Sequence, residues 1–202
     1  HSHTTPSGED MRSGLDYIMS WAERDVEVLK QIRGNDVLRR IARNIKVSTY
    51  STASSGIDAP GTALRLLVDT ISDMTGAPLD CPEHVSAWEI DDACRRELLL
   101  HPSKPTCLYS DLTEVWEPHV GKKIRNLVDA GFAIPLGDLI PLIKSRKATR
   151  RFAQCVCHSR QCPIRTARVH VAGLPCTDWS PQGLRKRGAG GTILIFAAWA
   201  CV

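Results

Sequence analysis

An alternation of period along the chain limits its fold more than any other feature. Short stretches rich in β-branched residues take turns with longer stretches whose apolar residues recur every three or four positions. Ile45 to Ala53 carries Ile45, Val47, Thr49 and Thr52 and is expected to form a strand. A turn of small residues, Ser54-Ser55-Gly56-Ile57-Asp58-Ala59-Pro60-Gly61, follows it. Thr62 to Thr75 then places Ala63, Leu66, Leu67, Ile71 and Met74 on one face of a helix. His84 to Ile90 is expected as a second strand, Asp92 to Leu100 as a helix opened by Asp91, and Thr106 to Tyr109 as a third strand. Arg168 to Ala172, with Val169 and Val171, is a fourth. Strands separated by helices predict an α/β fold with a parallel sheet and helices on both faces, because parallel neighbours need a crossover over a sheet face.

Two helices are expected ahead of the sheet. Glu9 to Arg33 carries Leu15, Ile18, Trp21, Ala22, Val26, Leu29 and Ile32 along one face, and Gly34-Asn35 ends it. Asp36 is expected to cap the next helix, with Val37, Leu38, Ile41 and Ala42 turned inward. Residues 1–44 are thus expected as a helical extension and residues 45–202 as the sheet-bearing domain. The stretch Leu112 to Ala167 is too long for a simple crossover. It reads as an insertion at about 112–167, with a helical part, Val115 to Ala130, and a basic, cysteine-bearing part.

Composition narrows the class. A hydrophobic fraction of 43% with 24% charged residues is globular. The longest apolar run, Ile193 to Val202, is half of the roughly 20 residues a membrane helix needs, so no membrane partner is expected. No segment reads as a secretory signal. The eight cysteines show no secreted framework, so they are expected as reduced thiols in a nuclear or cytoplasmic protein, nuclear if eukaryotic. A start without Met and an end inside an apolar stretch suggest a piece of a longer protein.

Charge is unevenly spread. His1 to Asp138 holds 15 Lys+Arg against 21 Asp+Glu; Leu139 to Val202 holds 11 against a single acid, Asp178. Such a basic block fits a polyanion, most simply nucleic acid. Lys144, Arg146, Lys147, Arg150 and Arg151 would add salt-sensitive, sequence-independent affinity. The alternative is a solvated basic surface.

Ligands of an open parallel sheet bind outside the carboxyl ends of its strands. The residues expected there are Ser55-Gly56 after the first strand, Glu89 after the second, Asp111 after the third, and Pro175-Cys176 after the fourth. Small residues allow a close backbone approach. Glu89 can accept hydrogen bonds from ribose hydroxyls, and Asp111 from an adenine amino group. Taken singly, each is equally an ordinary turn or helix-start residue.

Gly173-Leu174-Pro175-Cys176-Thr177-Asp178-Trp179-Ser180-Pro181-Gln182-Gly183-Leu184-Arg185 is the most informative segment. It resembles the nucleophile loop of DNA (cytosine-5) methyltransferases, whose pattern runs Gly-x-Pro-Cys, an aromatic residue and Ser, then Gly-x-Arg. Trp179 stands where Phe is usual, Thr177 replaces a common Gln, and Gly188 comes one residue later than the pattern. The resemblance implies a Rossmann-like methyltransferase fold with an incomplete sheet, and S-adenosylmethionine as cofactor. It implies Ser55, Gly56 and Ile57 as the cofactor loop, with Glu89, Ile90, Asp111, Leu112 and Pro175 also at the cofactor. Cys176 would be the nucleophile, and Ser180, Arg185, Lys186 and Arg187 would meet DNA. The family's Glu-Asn-Val segment, Arg-x-Arg pair and target-recognition domain are absent, so the chain is expected to be the N-terminal part of a catalytic domain. For Cys176 the alternative is a buried structural thiol.

Cys155-Val156-Cys157-His158-Ser159-Arg160-Gln161-Cys162 could hold a metal, most simply zinc. Cys157, His158 and Cys162 with one distant ligand fit a tetrahedron best; the alternative is a basic loop with reduced thiols. Two further functions stay open: a non-catalytic nucleic-acid-binding module built on the basic, zinc-bound segment, and a related methyltransferase acting on RNA or protein. Oligomeric state is not legible.

Overall fold

The computed structural model describes residues 20–130, 141, 148–175 and 191–202. The described chain divides into two compact units.

The first unit holds the described residues up to Val47, together with Gly61–Pro82. Helices α1 (Trp21–Arg33) and α2 (Asn35–Lys46) meet at Gly34, whose φ of 74° lets the chain turn between them. The second helix runs further than expected. Ile45 continues the inward row of Leu38 and Ala42, so the helix claims it and Lys46 before the first strand begins. Asp36 sits inside the first turn, bonded to Arg39, rather than capping the helix. Val26, Leu38, Ala42 and Ile45 pack with Val68 and Ile71 of α3 (Ala59–Thr75) into one apolar cluster.

The second unit, Ser48–Pro60 with the described residues from Glu83 onward, carries the sheet. Strands β1 (Thr49–Ala53), β2 (Glu83–Trp88) and β3 (Cys107–Tyr109) are parallel, and β6 (Val169–Ala172) pairs with β1 from the other side. The order is β3-β2-β1-β6. The α/β expectation therefore holds, with a four-stranded parallel sheet. The chain steps outward from β1 in one direction and later returns to its opposite edge, so the strand order reverses beside β1. Such a reversal opens a crevice at the carboxyl ends of the strands.

Helices cover both faces. On one face Ala53, Trp88 and Tyr109 pack against Val115 of the 3-10 turn Leu112–Val115, Ile124 of α5 (Pro118–Asp129), and Ile193 and Ala197 of α6 (Thr192–Trp199). On the other, Ala87 and Leu108 pack against Leu98 of α4 (Asp92–Leu100). Alternate residues of a strand point to opposite faces, which divides Trp88 and Tyr109 from Ala87 and Leu108. Trp88 stacks on Tyr109 with ring centroids 4.4 Å apart. Most of the terminal apolar run forms α6, which buries Ile193, Ala197 and Ala198 against the core and leaves Phe196 exposed on its other side. No helix among the described residues is long and apolar enough to cross a membrane.

The inserted segment contributes a second, antiparallel sheet of β4 (Phe152–Cys155) and β5 (Arg160–Pro163). The long helix expected from Val115 onward is split: the 3-10 turn ends at Val115, and Pro118 opens α5. Proline at a helix start loses no hydrogen bond, since the first N–H groups lack partners in any case.

Candidate cofactor and metal sites

All four parallel strands end on one line, for Ala53 is level with Trp88 and Ala172, and Trp88 with Tyr109. The residue after each of three strands adds one more ladder bond. Ser54 N–H donates to Trp88 O (2.7 Å), Glu89 N–H to Tyr109 O (3.0 Å) and Gly173 N–H to Ala53 O (2.9 Å). The loops therefore leave the sheet side by side.

The β1 loop then curls. Ser54, Gly56 and Asp58 all take positive φ (50°, 63° and 68°). Its amide at Gly56 donates to Glu89 Oε2 at 3.0 Å, and the amide of Asp91 donates to Oε1 at 3.0 Å. Glu89 is buried, at 6% exposure, so these two bonds fix its carboxylate at the strand end. Each oxygen still has a lone pair to offer. Asp91 caps α4 by accepting from Cys94 N–H (2.9 Å), and the capping amide lowers its carboxyl pKa. Arg95 Nη1 donates to the carbonyls of Glu89 (2.9 Å) and Ile90 (2.6 Å), which pins the same loop from the helix side.

Asp111 is held in a comparable way. Its Oδ1 accepts from Thr113 N–H at 2.8 Å and from Thr113 Oγ1 at 2.7 Å, capping the 3-10 turn. It also lines a cavity of about 290 Å³ with Glu114, Lys122, Arg125 and Arg150. Burial raises the Glu114 carboxyl pKa, and the Asp111 charge adds to the rise against Arg150.

Gly173 carries the closest approach. A Cβ there would lie 2.5 Å from Ser54 O, a backbone atom that cannot swing aside. Only glycine lets the segment leading to Pro175 run against the β1 loop. A Cβ on Gly56, by contrast, would meet nothing within 4 Å among the described residues.

The expected cofactor residues divide accordingly. Ser55, Gly56, Glu89 and Asp111 lie on loops at the strand ends, and exposed Pro175 lies on the loop after β6. Ile57 and Ile90 are exposed apolar side chains beside them. Leu112 is buried in the core. Cys176, Ser180, Arg185, Lys186 and Arg187 lie outside the described residues.

A second constellation lies at the opposite margin of the sheet, on edge strand β3. In the β4–β5 hairpin, Ala153 is level with Cys162 and both are buried; Cys155 is buried too, while Phe152 and Gln154 face out. Period-2 alternation thus puts Cys155 and Cys162 on one face. Ser159, with φ of 51°, closes the turn that brings His158 back over them. The hairpin docks on β3: Val156 N–H donates to Leu108 O (2.7 Å) and Tyr109 Oη donates to Pro163 O (2.9 Å). Cys107 on β3 thereby joins Cys155, His158 and Cys162, and the four donor atoms lie within 4.8 Å of one another. This cluster could hold a metal ion.

One member differs from the expected set. Cys155, not Cys157, sits with His158 and Cys162. The turn carries Cys157 away from the hairpin's inner face, and its Sγ approaches Pro105 O at 3.9 Å. The fourth donor, distant in sequence, is Cys107.

The thiols perturb one another. Burial pushes Cys107 up to about 12, and the neighbouring Cys155 and Cys162 add to the rise, against Tyr109. Burial would raise Cys155 too, but hydrogen bonds at Leu108 and His158 outweigh it and bring that thiol down to about 7. Sequence reasoning left Cys107 unnamed and, within the run Cys155 to Cys162, preferred Cys157 to Cys155.

No protein-family model matches the chain, and neither does any curated protein.

Proposed function

We propose that the chain is a partial DNA (cytosine-5) methyltransferase domain, with a Rossmann-like sheet, S-adenosylmethionine at the strand ends and Cys176 as nucleophile. The observation that carries this most is the Glu89 carboxylate, buried at the end of β2 and tied to the β1 loop through Gly56. It stands beside the strand-order reversal, where such sheets bind nucleotides. The close pass of Gly173 against Ser54 adds support, since Cys176 is the next residue after Pro175.

The residues fit the cofactor. The remaining lone pairs of Glu89 can accept from ribose hydroxyls, and Asp111 can accept from an adenine amino group. When bound, the sulfonium supplies an electrophilic methyl group. The Cys176 thiolate would add to carbon 6 of cytosine and make carbon 5 a nucleophile for that methyl, whose bond to sulfur would break to leave a neutral thioether. Loss of the carbon 5 proton to a base and elimination of the thiolate would restore the ring and free Cys176. Carbon 6 is hidden in a duplex, so the base must leave the stack. Arg185, Lys186 and Arg187 are the first cations that follow Cys176 in the sequence and would meet the phosphates.

DNA containing 5-fluorocytosine tests the nucleophile, because fluorine at carbon 5 cannot leave as a proton would. With methyl donor present, a denaturation-resistant protein–DNA adduct is expected, and Cys176→Ser should abolish it. An adduct that persists in Cys176→Ser, or cofactor binding with no adduct, would refute the assignment.

The Cys/His cluster favours a second function, a nucleic-acid-binding module without chemistry. Three thiols and an imidazole suit zinc among the common metals. A steep salt dependence of DNA binding in a protein that never forms the adduct is what this alternative predicts.

A further inference from the structure

The β4–β5 hairpin covers β3, the outermost strand, and packs Ala153, Cys155 and Cys162 into the core beneath it. An uncovered edge strand presents unpaired backbone groups to other chains. Here Val156 N–H takes up Leu108 O, and the Tyr109 hydroxyl reaches Pro163 O. Between these two bonds lie the four donors, one on the strand and three on the hairpin.

The distances from the imidazole to the sulfurs are close to those around a tetrahedral ion. Zinc bonds of about 2.3 Å to sulfur and about 2.0 Å to nitrogen set sulfur–nitrogen separations near 3.5 Å around a tetrahedral ion. His158 Nδ1 lies 3.3 Å from Cys155 Sγ, 3.4 Å from Cys162 Sγ and 4.0 Å from Cys107 Sγ. One ring nitrogen thus faces all three sulfurs at once. A hydrogen bond to a single thiol does not require that arrangement, whereas a shared ion does. The three cysteines are buried and the histidine is exposed, so the ion would have a route in past the imidazole.

We infer that Cys107, Cys155, Cys162 and His158 Nδ1 bind one zinc ion that clamps the inserted hairpin onto edge strand β3. Four protein donors fill the coordination sphere and leave no position for water or substrate, so the ion is structural. It joins a strand of the sheet to a segment that follows more than forty residues later, adding a metal cross-link to the packing of Ala153, Cys155 and Cys162 in the core. The site deepens the metal assignment above and is independent of methyl transfer.

The test begins with metal content. Purified protein should carry one equivalent of zinc, and cobalt exchanged into it should show the visible absorption of a tetrahedral ion and thiolate charge transfer in the ultraviolet. Cys107→Ser should weaken zinc binding by more than roughly 100-fold, its share of the free energy typical of four-ligand sites. Cys157→Ser should leave zinc binding unchanged. Should Cys107→Ser fail to fold, the wild-type protein serves instead. Chelation should speed amide exchange at Val156 and Ile164, and added zinc should restore protection. Substoichiometric zinc, full affinity in Cys107→Ser, loss of affinity in a folded Cys157→Ser protein, or exchange at Val156 indifferent to chelation would each overturn the site. None of these results depends on whether the protein forms an adduct with DNA.

Discussion

Glu89→Ala is expected to weaken S-adenosylmethionine binding by about 100-fold, the loss of two hydrogen bonds to a charged acceptor at about 1.5 kcal/mol each. The same substitution should cost stability. It removes the acceptor for the amides of Gly56 and Asp91, both bonded at 3.0 Å. Unpaired amides at a part-buried site cost about 1–3 kcal/mol in all, with water entering the vacated space to limit the loss. Glu89→Gln separates the two effects. Its amide keeps the volume and one acceptor oxygen, but turns an NH2 group towards an N–H donor. It should therefore recover part of the stability and little of the affinity. Calorimetric titration of all three proteins, with a denaturant midpoint for each, provides the comparison. Unchanged affinity in a folded Glu89→Ala protein would remove Glu89 from the cofactor site.

Gly173→Ala is the second large effect. The new Cβ would stand 2.5 Å from Ser54 O, with Ser54 C and Ser55 Cα at 3.5 Å. The contact is between two backbones, so no rotamer relieves it. The end of β6 must part from the end of β1, stretching the 2.9 Å bond from Gly173 N–H to Ala53 O. Overpacking of this kind costs about 1–3 kcal/mol, which lowers the melting temperature of a chain this size by roughly 2–12 °C. The displaced segment is the one that leads into Pro175 and Cys176. Adduct formation with 5-fluorocytosine DNA should fall at least as steeply as stability. Gly191→Ala is the control, since a Cβ there meets nothing within 4 Å and its φ is ordinary. Equal melting temperatures for Gly173→Ala and the parent protein would show that the loop has freedom the close contact denies.

The parts of the fold that local chemistry determines were legible. Helix Asp92–Leu100 was expected at both ends, because the Asp91 cap announces its start. The end of β3 at Tyr109 was legible, because polar Ser110 and Asp111 follow its last apolar residue at once, whereas β2 was expected to run to Ile90 and ends at Trp88. Ile45 was assigned to the wrong element. Its β-branched neighbours suggested a strand, yet it lies three positions after Ala42 and seven after Leu38, which is the helical row that won. Position beside β1 was not legible for β6, since no local signal says which edge a late strand joins. Cys107 was hidden for the same reason. It lies 51 positions before His158, and only the docking of the hairpin brings the two together.

Ultraviolet cross-linking of radiolabelled S-adenosylmethionine, followed by peptide mapping, addresses the cofactor site most directly. Saturable label, displaced by unlabelled compound, is expected on peptides that contain Ser54 to Gly56, Glu89, or Gly173 to Cys176. Label confined to other segments, or label that unlabelled compound fails to displace, would contradict a methyl-donor site at the carboxyl ends of these strands.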